Sequence, residues 1–308
     1  MFSVLTQPTY PKAAIGIEKE AVTAMSLRRQ GGAFGIRRAA TVELPVNLIT
    51  PNFFDSNISN PRELQVMLEE AVASAGLLEQ KNWSVSLPSS TARSAILTLE
   101  KSATSGADVS EVIDWKAEQT FGAPAGEMRV TRTKIASDRD GKDRYFATAV
   151  KLSVVDEFET VFEGLGWKAG LILPRIVSES NWLLSKNGVG DSLLISSQSD
   201  GFTAVVIRGG EPNVVRSVTC KVEERNDEIY RLLMFYHDRF AAEESGLLNR
   251  LLLVGSDLIP EAIKDISSEA LGHALKVMRP EDVGFSFPGN LRFDDLAAPG
   301  GLARMGWQ

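Results

Sequence analysis

Apolar and polar positions alternate in two patterns along the chain, and the first half shows both. Apolar runs at 13–17, 21–27 and 33–44 predict three strands joined by tight turns. Apolar residues then recur at helical spacing through 64–75, and a fourth strand is predicted at 83–88. The first half therefore opens with an antiparallel meander followed by a helix and a strand.

The same succession returns in the second half of the chain. Three apolar runs lie within 192–219, a helical pattern follows at 223–240, and a strand pattern follows at 251–254. A helix at 258–270 and a strand at 274–278 complete the copy. Two copies of one βββαβα pattern predict an α/β fold of two related domains that face each other across a cleft.

One long segment fits neither copy. We interpret residues 93–175, approximately, as an inserted α/β subdomain of the first domain. The expected division is a first domain at 1–186, a second domain at 187–292 and a helix at 293–308 that returns to the first domain. Asn60 is expected to cap the helix of the first copy, because an asparagine side chain accepts from free N–H groups at a helix start.

Composition and charge narrow the function classes. The 308 residues include 44% hydrophobic and 24% charged side chains, which are ordinary values for globular domains. A net charge of −7 argues against nucleic acid as the main partner. The start of the chain lacks a signal-peptide pattern, and no apolar run approaches the ~20 residues of a membrane span. With Cys220 as the single cysteine, we expect a cytoplasmic protein without disulfides.

A series of short motifs carries a family resemblance through its order and spacing. For example, Gly209-Gly210-Glu211-Pro212 followed by Arg216-Ser217 resembles the pattern G-G-x-P-x-x-x-R-S. The other matching segments are 57–64, 85–88, 112–119, 147–150 with 155–156 and 165–166, and 300–304. Together they resemble the PilM family, the actin-like proteins of type IV pilus assembly, which is related to FtsA. The resemblance implies an actin-like fold of two ribonuclease-H-like domains.

The turns that hold nucleotide phosphates in this family are degenerate here. Such turns expose backbone N–H groups as an anion cradle. The first corresponds to Glu18, Lys19 and Glu20, which we interpret as a solvated, charged hairpin turn without the family's glycine. In the second, Ser196 replaces an aspartate and Gln198 replaces a glycine, so a Cβ stands where phosphate must approach.

Two further departures concern the nucleoside. Gly255 and Ser256 stand where the family has two glycines, and Asp257 is expected to cap the next helix. The strand that ends near Val218 leads almost directly into the helix at Glu223, so the outer helical subdomain that closes over nucleotide is expected to be missing. These losses predict a pseudo-ATPase with no catalytic residue and no bound cofactor.

No metal site is predicted. The two histidines, His237 and His273, lie far apart in sequence, and zinc sites need three or four ligands. Residues 138–144 resemble part of a calcium loop but lack its terminal glutamate, so we expect a polar hairpin turn.

The resemblance implies a non-catalytic cytoplasmic scaffold of type IV pilus or related secretion machinery. Its expected partner is the N-terminal cytoplasmic tail of a PilN-like single-span inner-membrane protein, bound between the first domain and the insert. Other pilus assembly proteins and a second copy of the chain are further candidate partners, and the protein is expected to lie peripheral to the inner membrane. Two alternatives stay open: an active actin-like ATPase or sugar-kinase-type phosphotransferase with unusual phosphate loops, and a type II secretion scaffold.

Overall fold

The computed structural model describes residues 9–100, 106–184, 190–240 and 247–307. The strands are β1 (Ala13–Ile17), β2 (Ala21–Gln30), β3 (Ala33–Glu43), β4 (Asn82–Leu87), β5 (Ala92–Leu99), β6 (Met128–Ile135), β7 (Asp143–Lys151), β8 (Lys168–Pro174), β9 (Asp191–Gln198), β10 (Gly201–Arg208), β11 (Glu211–Thr219), β12 (Leu248–Val254), β13 (Lys276–Val277) and β14 (Phe285–Ser286). The helices are α1 (Pro61–Ser74), α2 (Gly106–Phe121), α3 (Leu152–Gly164), α4 (Arg175–Ser180), α5 (Arg225–Phe240), α6 (Pro260–Leu271) and α7 (Phe293–Met305).

The chain divides into two compact units. Unit 1 takes the chain up to Thr91, Ser153–Trp182 and the part from Gly284 onwards, and unit 2 takes Ala92–Leu152 and Leu183–Val283. Each unit therefore contains segments that are distant in sequence.

Unit 1 is built on a six-stranded sheet in the order β14-β3-β2-β1-β4-β8. The strands β1, β2 and β3 form the predicted antiparallel meander, whereas β4 pairs parallel to β1 and β8 pairs parallel to β4. Helix α1 begins where predicted, because the side chain of Asn60 accepts a hydrogen bond from the backbone N–H of Glu63. The N-cap prediction is confirmed.

The inserted segment is shorter than the sequence predicted. The strands β5, β6 and β7 form a separate three-stranded sheet that α2 accompanies, whereas α3 and β8 belong to unit 1. The ring centroids of Trp83 on β4 and Trp167 lie 5.6 Å apart, and those of Phe162 on α3 and Trp167 lie 6.1 Å apart. The boundary near 175 was wrong because β8 pairs with β4, whose residues lie 86 or 87 positions earlier, and local periodicity cannot show such a pairing.

Unit 2 contains a second sheet in the order β11-β10-β9-β12-β13. This order repeats that of the five strands β3-β2-β1-β4-β8, and in both sheets two antiparallel pairs are followed by two parallel pairs. Helices α5 and α6 cover one face and bury Ile229, Leu233 and Ile263 against Phe202. The predicted duplication of an α/β pattern is confirmed.

The link between β11 and α5 is as short as the sequence predicted. Residues 220–224 join the two elements and contain one 3-10 turn at Val222–Glu224. All five linking residues are described, and they leave no room for a helical subdomain at this position of unit 2.

Helix α7 packs tightly on α4 in unit 1. A Cβ at Gly301 would lie 2.0 Å from the carbonyl oxygen of Ser178, so only glycine permits this approach. The side chain of Asn181 donates to the carbonyl of Gly301, and Trp182 donates to the carbonyl of Ala297. These contacts attach the C-terminal helix α7 to unit 1.

Among the described residues, no helix is both long and apolar enough to cross a membrane.

Candidate functional site

The turn between β1 and β2 holds the first set of predicted site residues. The backbone N–H of Glu18 donates to the carbonyl of Ala21 over 2.9 Å, which closes a tight hairpin. Lys19 and Glu20 are exposed, as a solvated turn requires, but Glu18 is only 28% exposed and forms an ion pair. The interpretation of the turn as fully solvated was therefore wrong for Glu18.

The partner of Glu18 is Arg175, the first residue of α4. Nη1 of Arg175 lies 3.2 Å from Oε2 of Glu18, and its Nε donates to Oε1 of Glu179 over 2.6 Å. Arg175 is 8% exposed and Glu179 is completely buried. One buried guanidinium thus stands between two carboxylates directly behind the turn.

Burial and charge shift the pKa values of this cluster. Burial is the largest effect on Glu18 and raises its pKa to about 7, although Arg175 opposes the rise; Glu179 and Asp295 add to it. Burial also raises the pKa of Asp295. Burial alone would lower the pKa of Arg175, but the charges of Glu179 and Glu18 outweigh that effect and raise it. Arg175 therefore stays charged while Glu18 titrates near neutrality.

The strand before this turn leaves no room beside it. A Cβ at Gly16 would lie 2.9 Å from Cδ of Pro299, which belongs to α7. The space next to the end of β1 is filled by this chain's own helix.

The second set of predicted residues lies at the end of β9. Ser196 is buried, and its hydroxyl has no hydrogen-bond partner among the described residues. Gln198 ends the strand, and Gly201 begins β10 with φ 150°. A Cβ at Gly201 would lie 1.9 Å from the carbonyl oxygen of Val218, so this glycine serves the pairing of β10 with β11.

The turn after β12 packs against the end of β9. Gly255 has φ 141°, and a Cβ there would lie 2.4 Å from Cβ of Ser197. Ser256 is exposed. Asp257 does not cap α6, whose N-cap is Ile259; instead its Oδ2 accepts from the hydroxyl of Ser197 over 2.9 Å. The capping prediction for Asp257 was wrong because the carboxylate is used across the sheet end.

Arg225, the first residue of α5, joins these two turns. Its Nη1 contacts Oδ2 of Asp257 and donates to Oγ of Ser197 over 2.9 Å. Its Nη2 donates to the backbone carbonyl of Gln198 over 3.1 Å. The side chain is 3% exposed. The turn after β9 and the turn after β12 are thus connected to each other by a buried arginine.

Arg175 and Arg225 are the site residues that sequence reasoning missed. A signal was available for Arg225, which lies one helical turn before Ile229 on the stripe that continues to Leu232 and Leu233. A charged residue on an apolar stripe predicts a buried ion pair. For Arg175 no comparable signal exists, because α4 has only six residues.

The remaining candidates from the sequence are the two histidines and the polar turn at 138–144. His237 is exposed, whereas the two ring nitrogens of His273 lie 3.2 and 2.8 Å from backbone carbonyl oxygens. In the predicted polar turn, the N–H of Gly141 donates to the carbonyl of Asp138. Within the described ranges, no group of three or more His, Cys, Asp or Glu side chains could hold a metal ion.

Comparison with known proteins adds the fold relationship. No protein-family model matches the chain, and no curated protein sequence matches it. Among solved structures, a protein of Bacteroides thetaiotaomicron with an actin-like ATPase fold covers 96% of this chain and 98% of its own, with a TM-score of 0.52 and 12% identity. The chain therefore has an actin-like α/β fold, as the sequence predicted.

A more extensive likeness concerns one particular assembly. A chain of a PilM-PilN type IV pilus biogenesis complex matches with a TM-score of 0.74 and 15% identity. The match covers 98% of this chain and 100% of that one. At this identity the comparison shows a shared fold over the full length of both chains.

Proposed function

We propose that this protein is a non-catalytic scaffold of type IV pilus or related secretion machinery, which binds the cytoplasmic N-terminal tail of a PilN-like inner-membrane protein. The observation that carries the proposal is the full-length match to a chain of a PilM-PilN complex at a TM-score of 0.74. The protein would lie at the cytoplasmic face of the inner membrane and reach it through its partner.

The non-catalytic part of the proposal rests on the two turns. Phosphate binding at strand-end turns requires converging N–H donors and an unobstructed approach. In unit 1 the turn presents Glu18, with Arg175 committed to Glu18 and Glu179. In unit 2 Arg225 is committed to Ser197, Asp257 and the carbonyl of Gln198. The two buried arginines beside these turns are therefore occupied within the chain.

A peptide-binding measurement tests the scaffold role. The probe is a fluorescent peptide with the cytoplasmic N-terminal sequence of a PilN-like single-span protein from the same organism, and the control is a scrambled peptide of the same composition. We expect saturable binding of the first peptide to the full chain and none of the second. Equal binding of both, or of neither, would reject the proposed partner.

A titration with Mg-ATP separates this proposal from an active ATPase or sugar-kinase-type enzyme. Saturable binding together with nucleotide hydrolysis or phosphoryl transfer to a sugar would favour the enzyme. The expected result is the absence of both.

A further inference from the structure

The oxygen atoms that contact Arg225 lie at the end of β9 and in the turn after β12, and the space that its guanidinium occupies between them is called the recess. Three oxygen atoms surround the guanidinium: Oδ2 of Asp257, Oγ of Ser197 and the backbone oxygen of Gln198. All three accept hydrogen bonds from Arg225. The recess is therefore lined by acceptors at the positions that the structure describes.

One hydroxyl completes this arrangement. Ser197 donates its hydroxyl hydrogen to Asp257 over 2.9 Å and uses a lone pair to accept from Arg225. A serine hydroxyl offers one donor and two acceptor positions, so both contacts form together. The hydrogen bond between Ser197 and Asp257 thus orients both side chains towards the guanidinium of Arg225.

The groups that line the recess have the opposite polarity to those of a phosphate site. Anions are held by N–H donors and positive charge. Here a carboxylate, a hydroxyl lone pair and a carbonyl face the ligand. A planar guanidinium with five fixed donors can satisfy acceptors on two separate turns at once, whereas an ammonium group is a compact point charge.

We infer that this recess is a guanidinium-binding site whose resident ligand is Arg225 of the same chain. The inference rests on the proposed function of a non-catalytic scaffold. It assigns to Arg225 the place between the turns after β9 and β12 that a nucleotide would occupy in an active enzyme. Arg225 links β9, the turn after β12 and the start of α5 without help from a nucleotide. Unit 2 is consequently held together in one arrangement whether or not nucleotide is present.

The geometry of the backbone fits this use. Gly255 brings the turn after β12 so close to Ser197 that an added Cβ would lie 2.4 Å from the serine Cβ. The stem of Arg225 lies on the apolar stripe of α5, which fixes the direction from which the guanidinium enters. Both features place the two turns within reach of one side chain.

Chemical rescue of the full-length protein tests the inference. Arg225→Ala removes the atoms that ethylguanidinium supplies, so millimolar ethylguanidinium should bind the vacated recess and restore stability. We expect Arg225→Ala to lower Tm by roughly 5–10 °C and ethylguanidinium to recover a substantial part of that loss. Ethylammonium at the same concentration should recover little. Arg231→Ala is the matched control, since Arg231 lies on the same helix and is 66% exposed, and it should change Tm little with or without either compound.

Substitutions without added ligand give an independent result. Arg225→Lys should be less stable than the wild type, because one ammonium cannot reach acceptors on both turns. Asp257→Asn should lower Tm in the wild type but have a smaller effect in an Arg225→Met background, since the pair is then already broken. Additive effects of Asp257→Asn and Arg225→Met, full stability of Arg225→Lys, or equal rescue by ethylammonium would overturn the inference.

These outcomes are separate from a failure of the proposed function. Wild-type turnover of Mg-ATP or failure to bind the membrane-protein tail would reject the scaffold proposal, even if ethylguanidinium rescues Arg225→Ala. Conversely, loss of the rescue rejects the guanidinium site and leaves the tail-binding result unchanged.

Discussion

Nη1 of Arg175 lies 3.2 Å from Oε2 of Glu18, at the turn that would face a nucleotide if this chain resembled an active member of its fold. In unit 2 Arg225 has a similar relationship with Asp257. In both units a buried arginine at the first position of a helix neutralises a carboxylate at a strand-end turn. The two pairs lie at different positions of the duplicated pattern, because Glu18 follows β1 whereas Asp257 follows β12, the counterpart of β4.

Removal of Arg175 should be strongly destabilising. Arg175→Met removes a positively charged partner of the completely buried Glu179, and breaking a buried ion pair in this way costs about 3–5 kcal/mol. Urea denaturation measures the loss. A second substitution, Glu179→Gln, should recover part of it because the uncompensated charge disappears. Arg292→Ala is the control, since Arg292 is 60% exposed; a similar loss there would contradict the argument.

The stability of the protein should depend on pH through Glu18. Its pKa is about 7 in the folded state, against 4.5 for a freely solvated glutamate side chain, so the folded state binds the proton more tightly. The stabilisation is complete below pH ~4.5 and is lost as pH rises through ~7, by about 1–3 kcal/mol after allowance for its 28% exposure. Arg175 opposes the effect, whereas Glu179 and Asp295 support it.

Glu18→Gln isolates this contribution. Relative to the wild type, the variant should gain stability between pH 5 and pH 8, because glutamine does not ionise. Denaturation curves at several pH values check the result, with the exposed Glu20→Gln as the control. A difference between variant and wild type that does not change with pH would show that Glu18 ionises normally.

Gly255→Ala should be more destabilising than a glycine substitution at an uncrowded position. The added Cβ would lie 2.4 Å from Cβ of Ser197, so the turn after β12 must move away from β9. Gly272→Ala is a matched control, since Gly272 has φ +75° and no atom within 4 Å of its Cβ position. We expect a loss of about 1 kcal/mol at Gly272 and at least twice that at Gly255. Equal losses by thermal or urea denaturation would contradict the predicted contact.

Mg-ATP should give no saturable heat up to millimolar concentration in isothermal titration. The two buried arginines are already paired, and Glu18 adds a carboxylate where phosphate would approach. Glu18→Ala is the informative comparison. A micromolar dissociation constant in the wild type that is lost in this variant would show that the turn holds a metal–nucleotide complex.

Much of the fold could be predicted from local patterns. The meander β1–β3 and its counterpart β9–β11 are contiguous antiparallel strands, whose turns and alternation are written in neighbouring residues. The cap at Asn60 is equally local. The end of the insert was wrong because β8 belongs to a parallel pair, and parallel partners are joined by long connections that carry no common local signal.

The candidate site divides in the same way. From residue types and spacing, the sequence predicted that Glu20 and Gln198 replace glycines and that the link before α5 is short. It could not show that Glu18 is partly buried or that Asp257 faces Ser197. Those facts depend on tertiary packing, which places the first residue of α4 beside Glu18 and the first residue of α5 beside Asp257.

The sequence by itself thus determined the duplicated α/β pattern and the strand-forming segments, because periodicity and residue type act over a few positions. Only the tertiary structure decided that Arg175 reaches Glu18 across 157 positions and that Arg225 reaches Asp257 across 32. A buried charge is stable only beside an opposite charge, and that neighbour is chosen by the packing of helices on sheets rather than by distance along the chain.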